Sequence, residues 1–174
     1  MPPRFSLARR KAAELLRVGK VKKIPVPVER LAHIAGAKLR FEPFEGRISG
    51  MVNRSPDGST LIGVNSSHPE TRQRFTIAHE LGHMLLHKDE QFHVDESASI
   101  RFRDEESRLA TKSEEIEANQ FAAELLMPAS FMADEIEGLP KGIDPEDAIP
   151  ILAERFQVSE QALTLRLSRL GLLV

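Results

Sequence analysis

His79-Glu80-Leu81-Gly82-His83 is the run in this chain best suited to chemistry. Its two histidines stand at i and i+4. On a helix that spacing puts both on one face, about 6 Å apart along the axis. Two imidazoles so placed can converge on one metal ion, at about 2.0–2.1 Å for zinc. Glu80 is turned about 100° from His79, so it is poorly placed as a third ligand to the same ion. It can instead reach a water beside the ion and serve as general base.

A catalytic zinc site with two histidines takes one further protein ligand and keeps one position open. The run Glu114-Glu115-Ile116-Glu117-Ala118-Asn119-Gln120-Phe121-Ala122-Ala123-Glu124-Leu125-Leu126 can supply it. Glu117 is the preferred ligand, with Glu114 and Glu124 as rivals one or two turns away. Acidic groups at a helix start interact favourably with its dipole, which accounts for Glu114 and Glu115 without a metal. The small residues Ala118, Ala122 and Ala123 let this helix approach the first one closely. His87 continues the series of His79 and His83, but lies about 12 Å along the axis from His79. It is expected to support a ligand through a hydrogen bond, or to end the helix. His93 falls in a polar stretch from which it can turn toward substrate. Surface positions are expected for His33 and His68.

The 174 residues include no cysteine, which excludes disulfides, thiolate nucleophiles, Fe–S clusters and Cys-ligated zinc. Any metal is therefore held by His, Asp and Glu. Tyrosine is absent too. Stabilisation of a developing oxyanion then falls to His93, His87 or Arg101, or to the metal alone.

Two stretches together resemble the ImmA/IrrE family of metallo-endopeptidases. They are Arg74-Phe75-Thr76-Ile77-Ala78-His79-Glu80-Leu81-Gly82-His83-Met84-Leu85-Leu86-His87 and Glu117-Ala118-Asn119-Gln120-Phe121-Ala122-Ala123-Glu124-Leu125-Leu126-Met127-Pro128. The resemblance spans residues 26–128, and neither stretch departs from the family's pattern. It implies a minimal zincin-like fold, a zinc peptidase of bacterial or phage origin, and a repressor protein as substrate. Carried over by position, it implies His79, His83 and Glu117 as metal ligands and Glu80 as the base.

These residues need a scaffold, and the rest of the chain supplies one. Hydrophobic residues make up 41% and charged residues 29%, with a net charge of −2, which suits one globular domain and no polycation for coating nucleic acid, and the helices and strands read along it make that domain α+β. No apolar run approaches the ~20 residues of a membrane span. Phe75, Ile77, Ala78, Leu81, Met84 and Leu85 suit a buried helix over residues 69–87, with Pro69 in its first turn. Before it, residues 48–54 and 59–65 flank Ser55-Pro56-Asp57-Gly58 and read as a β-hairpin. A short helix over 28–36 and a strand over 38–41 precede that hairpin. A strand is expected near 100–103, and a second long helix from 113 to 127 is closed by Pro128.

Three parts are expected: a basic N-terminal helical segment (1–24), a zincin-like domain (25–139) with a small mixed sheet, and C-terminal helices similar to a helix-turn-helix (140–174). Residues 1–23 hold eight basic groups against Glu14. In the last part Ser159 can N-cap the second helix. Gln157 stands where such a turn often has Gly, and only Arg166 and Arg169 are available as cations, so packing or partner docking is favoured over DNA contact. The basic start has no continuous apolar run, and the cytoplasm is the expected location. The expected function is a zinc-dependent endopeptidase that cleaves a helix-turn-helix repressor and so derepresses a stress, phage or mobile-element operon. The alternatives are a DNA-binding regulator, or a toxin–antitoxin-type partner module, with a non-catalytic metal site.

Overall fold

The computed structural model describes residues 2–87, 92–96 and 105–172. The turn at Ser55-Pro56-Asp57-Gly58 forms as its chemistry requires. The Gly58 amide donates to the Ser55 carbonyl at 2.9 Å, and Gly58 takes a φ of +84°. Glycine adopts that conformation without a Cβ clash. The Asp57 carboxylate accepts the Ser59 amide at 2.9 Å. This turn joins β2 (Ile48–Arg54) to β3 (Thr60–Asn65) as an antiparallel pair. β1 (Ala37–Glu42) lies parallel to β3, and β4 (Phe92–Glu96) antiparallel to β2. The sheet order is β1-β3-β2-β4. β4 lies in the polar stretch where the sequence suggested no strand. The strand expected at 100–103 lies outside the described residues.

Two helices carry the chemistry-bearing residues. α3 (Glu70–Leu86) turns Ile77, Ala78 and Leu81 into the core against the sheet residues Val52, Ile62 and Val64. α4 (Glu105–Leu126) begins earlier than the sequence suggested and buries Phe121, Ala122, Leu125 and Leu126. The two helices meet where both have almost no side chain. A Cβ added at Gly82 would stand 2.9 Å from the Ala118 Cα. α1 (Phe5–Val18) packs into the same core through Ala8, Ala12 and Leu15. α2 (Val28–Ile34) leads into the sheet. Arg74, buried on α3, donates to the carbonyls of Val26 at 2.8 Å and Gln157 at 3.3 Å. It thereby ties the chain before α2 to the C-terminal helices.

α5 (Ala129–Glu137) follows, then α6 (Pro145–Phe156) and α7 (Glu160–Leu170). The α6–α7 turn has the expected form. Gln157 takes a φ of +53°, a conformation that non-glycine residues seldom adopt, and the Val158 amide donates to the Ala153 carbonyl at 3.0 Å. Ser159 caps α7 by accepting the Ala162 amide at 3.2 Å. These helices share the main core through Phe156, Leu163 and Leu167. Arg166 is not a surface cation. It is buried, bonded to the Glu124 carboxylate at 2.5 and 3.0 Å and to the Met127 carbonyl at 3.0 Å. No helix among the described residues is long and apolar enough to cross a membrane.

Candidate metal centre

His79 and His83 project from one face of α3, with their Nε2 atoms 3.1 Å apart. Glu115 faces both from α4. Its Oε2 lies 3.3 Å from His79 Nε2 and its Oε1 3.3 Å from His83 Nε2. His93 closes the group from β4, its Nε2 3.2 Å from Glu115 Oε1 and its ring stacked on that of His83. One ligand atom from each of these four residues lies within 4.8 Å of the others. Ligand atoms about 2.0–2.1 Å from a four-coordinate ion stand about 3.3 Å apart. The nitrogen and oxygen donors present therefore fit zinc in both kind and spacing. Burial pushes His83 down to about 4, which keeps the imidazole neutral as a ligand must be. Burial opposes the charge on Glu115. Hydrogen bonds from His79, His83 and His93 outweigh it and hold the carboxyl far below the usual range. A second group, His79, Glu80 and Asp95, also lies within 4.8 Å, but it has one imidazole and shares it with the first.

Glu80 is fully buried, and neither of its carboxylate oxygens has a hydrogen-bond partner. Burial pushes it up to about 7. Burying an unpaired carboxylate is costly and calls for a reason. The sheet leaves it room, because a Cβ at Gly50 would collide with Thr76 and come within 3.1 Å of Glu80 Oε1.

Glu117, the ligand preferred from the sequence and implied by the resemblance, is held elsewhere. Its carboxylate accepts the Arg4 backbone N–H at 2.7 Å, Arg4 Nε at 3.0 Å and Arg4 Nη2 at 2.8 Å. On its other side His87 Nε2 lies 3.0 Å away. Two residues along a helix are about 200° of rotation, so Glu115 and Glu117 cannot face one ion. Burial works against the Glu117 charge, but the bonds from Arg4 bring its carboxyl down to about 2. Glu124 is committed to Arg166. His87 Nδ1 stands 3.2 Å from His83 Nδ1, as a supporting group would. His33 is exposed, with Nδ1 3.1 Å from the Ala37 carbonyl. Arg101 lies outside the described residues.

Residues 32–168 match the family model Peptidase_M78, described as the IrrE N-terminal-like domain. The chain belongs to this family. The match runs past residue 139 and takes in α6 and most of α7. Over 130 residues the chain is 33% identical to the radiation response metalloprotease IrrE of Deinococcus radiodurans, covering 74% of this chain and 36% of that protein. It is 36% identical over 67 residues to an uncharacterized immunity region protein 2 of Bacillus phage phi105, or 38% of this chain and 37% of that one. A solved transcriptional regulator of Mycobacterium tuberculosis has a similar fold, with a TM-score of 0.61 at 18% identity over 92% of this chain and 46% of that one. The chain thus spans less than half the length of each of these relatives.

Proposed function

We propose that the chain is a zinc-dependent endopeptidase, with the ion held by His79, His83 and Glu115 and with Glu80 as general base. The observation that carries this reading is Glu80. A fully buried carboxylate without a hydrogen-bond partner, beside three clustered imidazoles, has no structural task. When bound, zinc supplies Lewis acidity that lowers the pKa of water and polarises a peptide carbonyl. Glu80 takes a proton from the attacking water on a carboxylate oxygen and returns it to the departing amine nitrogen. Water adds across the amide, the C–N bond breaks, and a carboxylate and an amine result. His93, half-buried on β4 and stacked on His83, is the proposed donor to the developing oxyanion.

The substrate proposed is a helix-turn-helix repressor, cleaved in the cytoplasm so that a stress, phage or mobile-element operon is expressed. The relatives named for a radiation response metalloprotease and for a phage immunity region support this reading. DNA binding by α7 is disfavoured, since Arg166 is spent on Glu124.

One observation favours a second reading. If His93 also ligates, four protein ligands close the site and the ion is structural. His93→Ala separates the two. Retained zinc with slower cleavage supports the peptidase, whereas lost zinc supports the closed site. The main test incubates the zinc-loaded chain with candidate helix-turn-helix repressors, followed by mass spectrometry. A discrete cut by the wild type, abolished in Glu80→Gln at unchanged zinc content, is expected. Equal cleavage by Glu80→Gln would refute the mechanism.

A further inference from the structure

Arg4, Glu117 and His87 form a chain of contacts that ends on a proposed ligand. Three N–H groups of Arg4 converge on the Glu117 carboxylate at 2.7–3.0 Å, and Arg4 Nη2 also reaches the Leu86 carbonyl at 3.4 Å. Glu117 Oε2 lies 3.0 Å from His87 Nε2, and His87 Nδ1 lies 3.2 Å from His83 Nδ1. With zinc in place of the Nε2 proton that His83 donates to Glu115 in the metal-free chain, the proton positions follow from this order. His83 turns Nε2 toward His79 and Glu115, so as a neutral ligand it carries its ring proton on Nδ1. That N–H donates to His87 Nδ1, which must then be the bare nitrogen. The His87 proton therefore sits on Nε2, where it donates to Glu117. A ligating histidine held by a carboxylate keeps one tautomer and one ring plane. Here a second histidine is interposed between the two.

We infer that Arg4, Glu117 and His87 are positioning residues that fix the tautomer and ring plane of His83, so that the seating of α1 sets the metal affinity of the centre. Arg4 is the residue immediately before α1. α1 is seated by Ala8, Ala12 and Leu15 in the core and by the Arg9–Glu124 pair at 3.4 Å. The N-terminal basic segment thus delivers a cation to the far side of the metal helix. The inference rests on the ligand set proposed above.

Zinc affinity of the full chain, measured by competition with a chromophoric chelator, tests it. Glu117→Ala and His87→Ala should each weaken zinc binding by about 10–100-fold. The double variant should be no weaker than the weaker single one, because both break the same chain. Arg4→Ala should act in the same direction and Arg4→Lys should restore part of the loss. Long-range proton–nitrogen NMR of the zinc-loaded wild type should show His83 protonated at Nδ1 and His87 at Nε2. A merely structural role for Glu117 would not fix that pattern. If Glu117→Ala fails to fold in thermal unfolding of the metal-free protein, Glu117→Gln keeps the shape and an acceptor, and should bind zinc with intermediate affinity. Wild-type affinity in His87→Ala and Glu117→Gln, or the opposite tautomers, would overturn the inference. Loss of zinc in Glu115→Ala beside wild-type affinity in Glu117→Ala refutes the chain alone. Wild-type affinity in Glu115→Ala refutes the ligand set and the inference with it.

Discussion

Glu115 and Glu117 are two residues apart, yet one faces three imidazoles and the other an arginine and a histidine. Glu115→Gln is expected to strip zinc from the purified protein, because it removes an anionic ligand at about 3.3 Å from both His79 and His83. Glu80→Gln should keep the zinc and the fold and slow cleavage by about 10²–10⁴-fold. Metal analysis and cleavage assays on the two variants read these outcomes separately, and zinc loss in Glu80→Gln would make it a ligand. The first half of this site was legible in the sequence, since two histidines one turn apart leave little freedom. The placement of Glu115, rather than Glu117, beside them was not. Ala118 and Ala122 put Glu115 on the buried side of α4, and Phe121 does the same for Glu117. What separates them is Arg4, 113 positions from Glu117, and local periodicity carries no information about such a contact. The place of His93 beside His79 and His83 was hidden for a similar reason. Only the alternation in Phe92-His93-Val94-Asp95 hints that it shares a strand face with Asp95.

At the scale of elements, α4 binds its neighbours through ion pairs as well as apolar contact. Glu124 meets Arg166 of α7 in the core, and burial opposes its charge while Arg166 lowers its pKa. A carboxyl depressed in the folded state contributes stability that is present above its unfolded pKa, about 4.3, and is lost as pH falls through its folded value. Acid unfolding of the wild type should therefore show a component that Glu124→Gln lacks. Arg166→Met leaves the buried Glu124 carboxylate with only Gln120 at 2.8 Å and the exposed Arg9 at 3.4 Å, and should cost up to about 3–5 kcal/mol in denaturant unfolding. An unchanged midpoint would show the pair to be idle. The hairpin was legible because Asp57 and Gly58 prescribe the turn. β4 was not, because His93, Asp95 and Glu96 dilute the apolar signal of a five-residue strand. It is held by its register with β2, a pairing at long range.

At the scale of the whole molecule, the C-terminal helices share the core that positions the proposed metal ligands. Phe156 and Leu163 are fully buried and Leu167 nearly so. Truncation after Leu139 removes all three, at about 1.5–3 kcal/mol for each. It also takes Arg166 from Glu124 and bares part of α4, which carries Glu115. The truncated chain is expected to unfold at lower temperature and to lose zinc as it does so. Retained stability and zinc would make those helices an appendage. The measurement closest to the central claim is zinc-edge anomalous scattering from crystals of the zinc-loaded full chain. A single peak is expected among His79 Nε2, His83 Nε2 and the Glu115 carboxylate, at about 2.0–2.2 Å from each. A peak on Glu117, or none beside His79 and His83, would contradict the account.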